Sequence, residues 1–237
     1  PIQPTGSATT YGLHPDLARK LIKAREIFRE RLQMSGHNPL IESFDADTYN
    51  SNASIAENIL FGTPVGPYFA IENLGHNPTM RQVIERIGLT SVFLETGRKL
   101  AAIQAEIFRD LSPGHEFFQR FSFINSEDLP RFEAVLRRIE SHGIEGLEAA
   151  DREKLMTLPF KLVEAQHHMG LIDEDMKNRL LQARKAFASG LPDHLRDAVQ
   201  FFDKASYNAT SSIVDNILFG KADSHKAGGA AQIGRMV

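Results

Sequence analysis

The sequence predicts a mainly α-helical chain made of two related helical units in tandem, joined by a helical middle segment. Three observations carry this reading. Apolar residues recur at helical spacing along most of the chain. Alternating strand patterns are few. A stretch of sequence also occurs twice: FDADTYNSNASIAENILFG (44–62) and FDKASYNATSSIVDNILFG (202–220) share 11 of 19 residues at a constant offset of 158. The implied organisation is a flexible arm at 1–12, a first helical unit with its continuation at 13–110, and a helical connecting segment at 111–169. A second helical unit follows at 170–237 and reads as truncated part-way through its pattern.

Taken in order, residues 1–12 are rich in Pro, Gly, Ser and Thr and read as a loose arm. Leu17, Leu21, Ile22, Ala24, Ile27, Phe28 and Leu32 mark a helix from Asp16 to about Gln33, stopped by Gly36, Asn38 and Pro39. Residues 37–53 read as loop with room for one short extended piece. A short helix is expected at 55–61. Ser54 precedes it and Glu57 lies three residues on, a capping box in which each side chain serves the other's backbone N–H. Gly62 is expected to end it in the left-handed conformation. Further helices are expected at 79–87, stopped by Gly88, and at 90–110, where Gly97 weighs against helix by about 1 kcal/mol relative to alanine. SPGHEF (112–117) reads as a turn. A helix at 127–141 turns Leu129, Phe132, Val135, Leu136 and Ile139 inward, with Pro130 in its first turn. The remaining expected helices are 148–156, 160–168, 173–188 and 193–202, and Asp173, Glu174 and Asp175 suit the first turn of the third.

The composition is that of an ordinary globular protein. Among 237 residues, 42% are hydrophobic and 24% charged. A chain of this length buries roughly 70–75% of its unfolded surface without staples. The 27 basic and 30 acidic side chains, a formal charge of -3, argue against a general electrostatic nucleic-acid binder. Cysteine is absent, which excludes disulfides, thiolate metal ligands and a cysteine nucleophile. No apolar run approaches the ~18 residues of a membrane span. The first residues lack the apolar core of a signal peptide, and a chain beginning at Pro1 reads as a processed product or a cut-out piece.

The repeat reaches further upstream. LIKAREIF (21–28) matches LLQARKAF (180–187) at an offset of 159, and Gly12-Leu13 matches Gly170-Leu171. The repeated unit is thus a long helix, a connector, an F-D-x(3)-Y-N loop and a short capped helix ending in Phe-Gly. On residue chemistry alone, Ile55, Ile59, Leu60 and Phe61 are core residues, and the asparagines cap or bridge loops. If the caps are equivalent, Ser54→Ala and Ser212→Ala should cost similar small amounts of stability, about 1 kcal/mol.

SIAENILFG and SIVDNILFG resemble the start of the helical subdomain that follows the Q-loop of ABC-type ATPase domains, a pattern close to S-I-x-[ED]-N-I-x-[FY]-G. RQVIERIGLTSVFLETG (81–97) looks like the family's next helix. The departures are specific. Ala46 and Lys204 stand where the Q-loop glutamine would fall. No G-x(4)-G-K-[ST] loop, L-S-G-G-Q signature or acidic Walker B strand occurs, and GAAQIGRM (229–236) lacks the lysine and hydroxyl that would cradle a triphosphate. The resemblance therefore implies a non-catalytic helical fragment of an ABC-transporter ATP-binding protein, with no cofactor in this chain. Its implied partners are the parent ATPase core and the transporter membrane domain. Its implied location is cytoplasmic, at the inner face of a membrane through the parent protein. Candidate contact residues are Tyr49, Asn50, Ser54, Glu57, Asn58 and Phe61, with Tyr207, Asn208, Ser212, Asp215, Asn216 and Phe219. The alternative is a stand-alone α-helical scaffold or adaptor for protein–protein interaction.

Other chemistry finds little support. Glu164 and His167 form a single Glu-x-x-His, whereas a di-iron bundle needs two such pairs and further glutamates. No G-x-S-x-G elbow marks a hydrolase. Arg131, Arg137 and Arg138, and separately Arg179 and Arg184, read as solvated salt-bridging faces. Asn52-Ala53-Ser54 and Asn208-Ala209-Thr210 fit the glycosylation pattern by accident, the hydroxyls being explained by turns and caps. Phe117, Phe118, Phe121 and Phe123 read as core or a partner-facing patch.

Overall fold

The computed structural model describes residues 15–34, 41–112, 115–116 and 122–223. The expected arm at 1–12, Gly12-Leu13, the stop at Gly36, Asn38 and Pro39, part of the 112–117 turn, Phe117, Phe118, Phe121 and the 227–237 tail lie outside the described residues.

The described chain is mainly helical with small two-stranded sheets. Helix α1 (Pro15–Met34) leads to strand β1 (Ile41–Ser43), the short helix α2 (Ile55–Leu60) and strand β2 (Gly62–Pro64). A 3-10 turn (Ile71–His76), α3 (Pro78–Arg86) and α4 (Thr90–Phe108) follow, then α5 (Leu129–His142) and α6 (Ala149–Thr157). A 3-10 turn at Leu158–Lys161, α7 (Glu164–His167) and α8 (Glu174–Gly190) come next. The described chain ends with a 3-10 turn (Asp193–Ala198), β3 (Val199–Phe201), α9 (Ile213–Leu218) and β4 (Gly220–Ala222).

Most expected helices form close to their predicted bounds, for the reasons the sequence offers. Asn77 and Asp173 cap α3 and α8 by accepting from the N–H groups of Met80 and Met176. Gly88 takes a φ of 71° just past α3. Two expectations need correction. Residues 160–168 are not one helix: the chain is extended at Leu162 and Val163, because their backbone pairs with the segment around Ser54. Residues 193–202 are not one helix either. They form a 3-10 turn and then β3, whose pairing with β2 satisfies its backbone through contacts distant in sequence.

A third correction concerns Gly62. The left-handed residue after α2 is Phe61 (φ 45°), and Phe219 (φ 43°) does the same after α9. The glycines serve the next step, strand pairing. A Cβ on Gly62 would lie 2.7 Å from the Gln200 carbonyl oxygen, and one on Gly220 would lie 2.4 Å from that of Glu42. No side chain fits there without moving backbone.

The strand pairing is reciprocal. β1, before the first repeated segment, pairs antiparallel with β4, after the second. β3, before the second segment, pairs antiparallel with β2, after the first. The long helices cross in the same sense: α1 packs on α9, and α8 packs on α2.

One large buried cluster runs from Tyr49 to Val199 and includes Ile55, Phe69, Phe93, Leu155 and Phe187. Helix α4 packs against α5, α6 and the Leu158–Lys161 turn. Gly97 lets α6 approach: a Cβ there would sit 2.1 Å from the Leu155 carbonyl oxygen. Burial of Leu129, Phe132 and Val135 accords with the expected inward face of α5. Helix α1 rests on a smaller separate cluster, in which Phe28 and Ile41 are buried against Leu32, Ile217 and Leu218. Among the described residues, no helix is long and apolar enough to cross a membrane.

Candidate functional site

The two repeated segments meet at an aromatic centre. Phe44 and Phe202 stack with ring centroids 4.1 Å apart and planes 8° from parallel. Phe61 and Phe219 stand edge-on to both, an arrangement that ring quadrupoles favour. The Phe44 N–H donates to the Phe219 carbonyl (2.9 Å), and the Phe202 N–H donates to the Phe61 carbonyl (3.0 Å).

Each long helix contributes one arginine to this centre. Arg184 on α8 lies 4.2 Å above the Phe61 ring, and Arg25 on α1 lies 4.1 Å above the Phe219 ring. Arg184 donates to the carbonyls of Asn58 (2.7 Å), Asp45 (2.8 Å), Ala46 (2.9 Å) and Thr48 (3.1 Å). Arg25 donates to the carbonyls of Asn216 (2.7 Å), Lys204 (2.8 Å), Asp203 (3.3 Å) and Ser206 (3.3 Å). A planar fork with five donors suits a curved loop of carbonyls. Burial pushes the Arg184 guanidinium down to about 10, against the raising influence of Asp45, Asp47 and Tyr49, so it stays charged at neutral pH. Burial and the neighbouring Arg29 lower Arg25 in the same direction, with Asp203 opposing. These buried arginines correct the expectation of a solvated face at Arg184.

The asparagines clamp their own loops. Asn58 accepts from the Asn50 N–H (2.9 Å) and donates to the Asn50 carbonyl (2.9 Å). Asn216 does the same with Asn208, both at 2.8 Å. Asn50 and Asn208 are themselves buried and donate to the Glu42 and Gln200 carbonyls. Tyr49 is buried, and burial raises its hydroxyl well above the usual phenol range, helped by Glu164 and Glu42. Tyr207 is only half-buried.

The caps differ. Ser54 and Glu57 form the full expected capping box. Ser212 accepts from the Asp215 N–H (3.1 Å) and donates to the Asp215 carboxylate (2.7 Å), but the return bond to its own N–H is not made. Aspartate is one methylene shorter than glutamate. Glu57 also meets Lys221 of β4 at 2.6 Å. Burial opposes its ionisation, yet Lys221 and the Ser54 N–H and hydroxyl outweigh it and hold the carboxyl below the usual range. This pair borders a cavity of about 320 Å³ lined by Phe44, Phe202, Asn208, Ser212 and Thr63, among others.

The sequence named twelve candidate contact residues, and the structure ties most of their polar groups to neighbouring groups of the chain. Asn50, Ser54, Asn58, Phe61, Asn208, Asn216 and Phe219 are buried, whereas Ser212 and Asp215 are exposed. Reasoning missed Arg25, Arg184, Phe44, Phe202 and Lys221. The first four are identical between the repeats, and that identity was the available signal.

Elsewhere, Glu164 pairs with Lys177 at 3.0 Å, and the His167 Nδ1 lies against the Val163 backbone, so the Glu-x-x-His pair is engaged within the chain. Arg131 and Arg138 clasp the buried Asp151 at 3.0 and 2.8 Å. Among the described residues, no three His, Asp or Glu side chains gather as a metal site. Compared with family models, curated proteins and solved structures, the chain gives no match.

Proposed function

We propose that this chain is a non-catalytic helical region of an ABC-transporter ATPase subunit, lying in the cytoplasm, that couples nucleotide state to the membrane domain by moving as a rigid body. Two related helical units form its core. The observation that supports this reading is the reciprocal exchange between the repeated segments: β1 with β4, β2 with β3, Arg25 on the second loop and Arg184 on the first. A unit closed by buried charge-assisted hydrogen bonds at both ends transmits displacement with little internal give. Its polar groups point at one another, which suits a mechanical part better than a reacting one. The family name rests on the twice-occurring S-I-x-[ED]-N-I-L-F-G pattern.

The test is to sequence the native transcript on both sides of residues 1–237 and to titrate the purified chain with Mg-ATP. A phosphate loop upstream and an L-S-G-G-Q signature downstream, with no heat of nucleotide binding in this chain, is the expected result. Micromolar nucleotide binding overturns the non-catalytic reading, and flanks without those motifs overturn the ATPase setting. A second reading, an α-helical adaptor for another protein, is favoured by the exposed aliphatic residues Ile213 and Val214.

A further inference from the structure

The two capped helices have nearly the same backbone. Ser54 and Ser212 sit at φ, ψ of −65°, 161° and −63°, 162°. Phe61 and Phe219 sit at 45°, 50° and 43°, 52°. Their surroundings are not the same. The first helix is flanked by the extended residues Leu162 and Val163 and by the start of α7. The Ile55 N–H donates to the Leu162 carbonyl at 3.0 Å, Val163 bridges Ser54 in antiparallel fashion, and the Ala165 N–H donates to the Ser51 carbonyl at 3.0 Å. Ile55 and Ala56 are 0% and 2% exposed, in a helix packed against α8 and the turns at Ile71–His76 and Leu158–Lys161. At the matching positions of the second helix, Ile213 is 53% and Val214 45% exposed. Ala209 and Ser212, which match Ser51 and Ser54, are exposed as well.

Adjacent β-branched residues on an open surface lose a large part of their burial free energy and mark a contact site when they are contiguous. The first helix supplies the template for what the second receives. We propose that the face formed by Ala209, Ser212, Ile213 and Val214 docks an extended protein segment carrying two adjacent aliphatic residues, in the manner of Leu162-Val163 on the first helix. The segment adds as a short antiparallel strand. Its backbone is read by the Ala209 carbonyl and the Ile213 N–H, which match the Ser51 and Ile55 groups of the first helix, and its aliphatic pair covers Ile213 and Val214. Position 214 is valine where position 56 is alanine, so the second face selects a smaller side chain opposite that point. This holds whether or not the chain is part of an ATPase.

The probe is a fluorescent peptide with the sequence of residues 158–168, LPFKLVEAQHH, titrated with the whole chain and read by anisotropy. Saturable binding is expected, weakened about tenfold or more by Ile213→Glu and by Val214→Asp. Both positions are exposed, and unchanged circular dichroism and melting would establish that the variants fold. Lys185→Glu, a surface change on α8, should leave binding unaltered. Absence of saturation up to about 1 mM peptide overturns the proposal. Binding that survives Ile213→Glu also overturns it, by placing the peptide on the first helix. A concentration-dependent dimer abolished by Ile213→Glu, with no peptide binding, overturns it in favour of self-association.

Discussion

The Nε of Arg184 donates to the carbonyl of Asn58 across 2.7 Å, joining residues 126 apart in sequence, and the same guanidinium covers the Phe61 ring. Arg25 holds Asn216 in the same way, at 2.7 Å. The two arginines nevertheless stand in different settings. Arg184 lies on α8, whose buried residues belong to the main core, whereas Arg25 lies on α1, which is fastened to a small separate cluster.

Their substitution should therefore have different consequences. Arg184→Ala leaves several loop carbonyls unpaired, and a global loss of about 3–5 kcal/mol is expected in urea unfolding. Arg25→Ala should free α1 locally, with fast hydrogen exchange confined to residues 15–34 and the adjoining α9. Arg184→Lys should rescue little, since an ammonium cannot fan its donors over the same carbonyls.

Gly97→Ala tests propensity against packing. Helix propensity alone favours alanine by about 1 kcal/mol. The Leu155 carbonyl oxygen, 2.1 Å from the new Cβ, requires α4 and α6 to separate. Overpacking of this kind costs roughly 1–3 kcal/mol or more, so a net lowering of the melting temperature is expected. An increase would show that the two helices part freely.

The caps should not be equal. Ser54→Ala removes a buried, reciprocated cap and should cost about 1–2 kcal/mol, while Ser212→Ala, at an exposed and one-sided cap, should cost about 0.5 kcal/mol. Chemical denaturation of the two single variants gives the comparison directly. Equal losses would mean that the flanking segment at Leu162–Ala165 adds nothing to the first cap.

Glu57 gives a pH signature. Its folded carboxyl lies below its ordinary value of 4.5, so the stability it contributes is present above that value and is lost as pH falls through the folded pKa. The stability gap between the native chain and Glu57→Gln should be widest near neutrality and close under acid. Lys221→Met should narrow the gap, because the lysine is the main charge favouring ionisation.

Much of the fold was legible in the sequence because local signals agree with the final structure. The stripes of α1, α4 and α5 and the box at Ser54 and Glu57 all act within a few residues, whereas Asp173, read as a first-turn charge, is the cap of α8. Beyond the extended piece allowed within 37–53, where β1 forms, the strands and all of their pairings were not legible, since each spans three residues and finds its partner across long separations. The same cause hid the break at Leu162 and Val163, where periodicity suggested helix and pairing with Ser54 prevailed. At the candidate site, the repeated residues were visible as a set. The asparagines turn inward onto their own loops, as residue chemistry alone suggested and unlike their parallel reading as contact residues.

The crossed pairing of the strands has a consequence for biosynthesis. Ile41 meets Ala222 only after about 180 further residues have left the ribosome, an interval of roughly 10–40 s at ordinary elongation rates. During that time α1 lacks α9 and β1 lacks β4, while α2, α4, α6 and α8 can already assemble. Among the described elements, α1 and β1 are made first and docked last, so this stretch stays open to capture by chaperones until α9 and β4 have emerged.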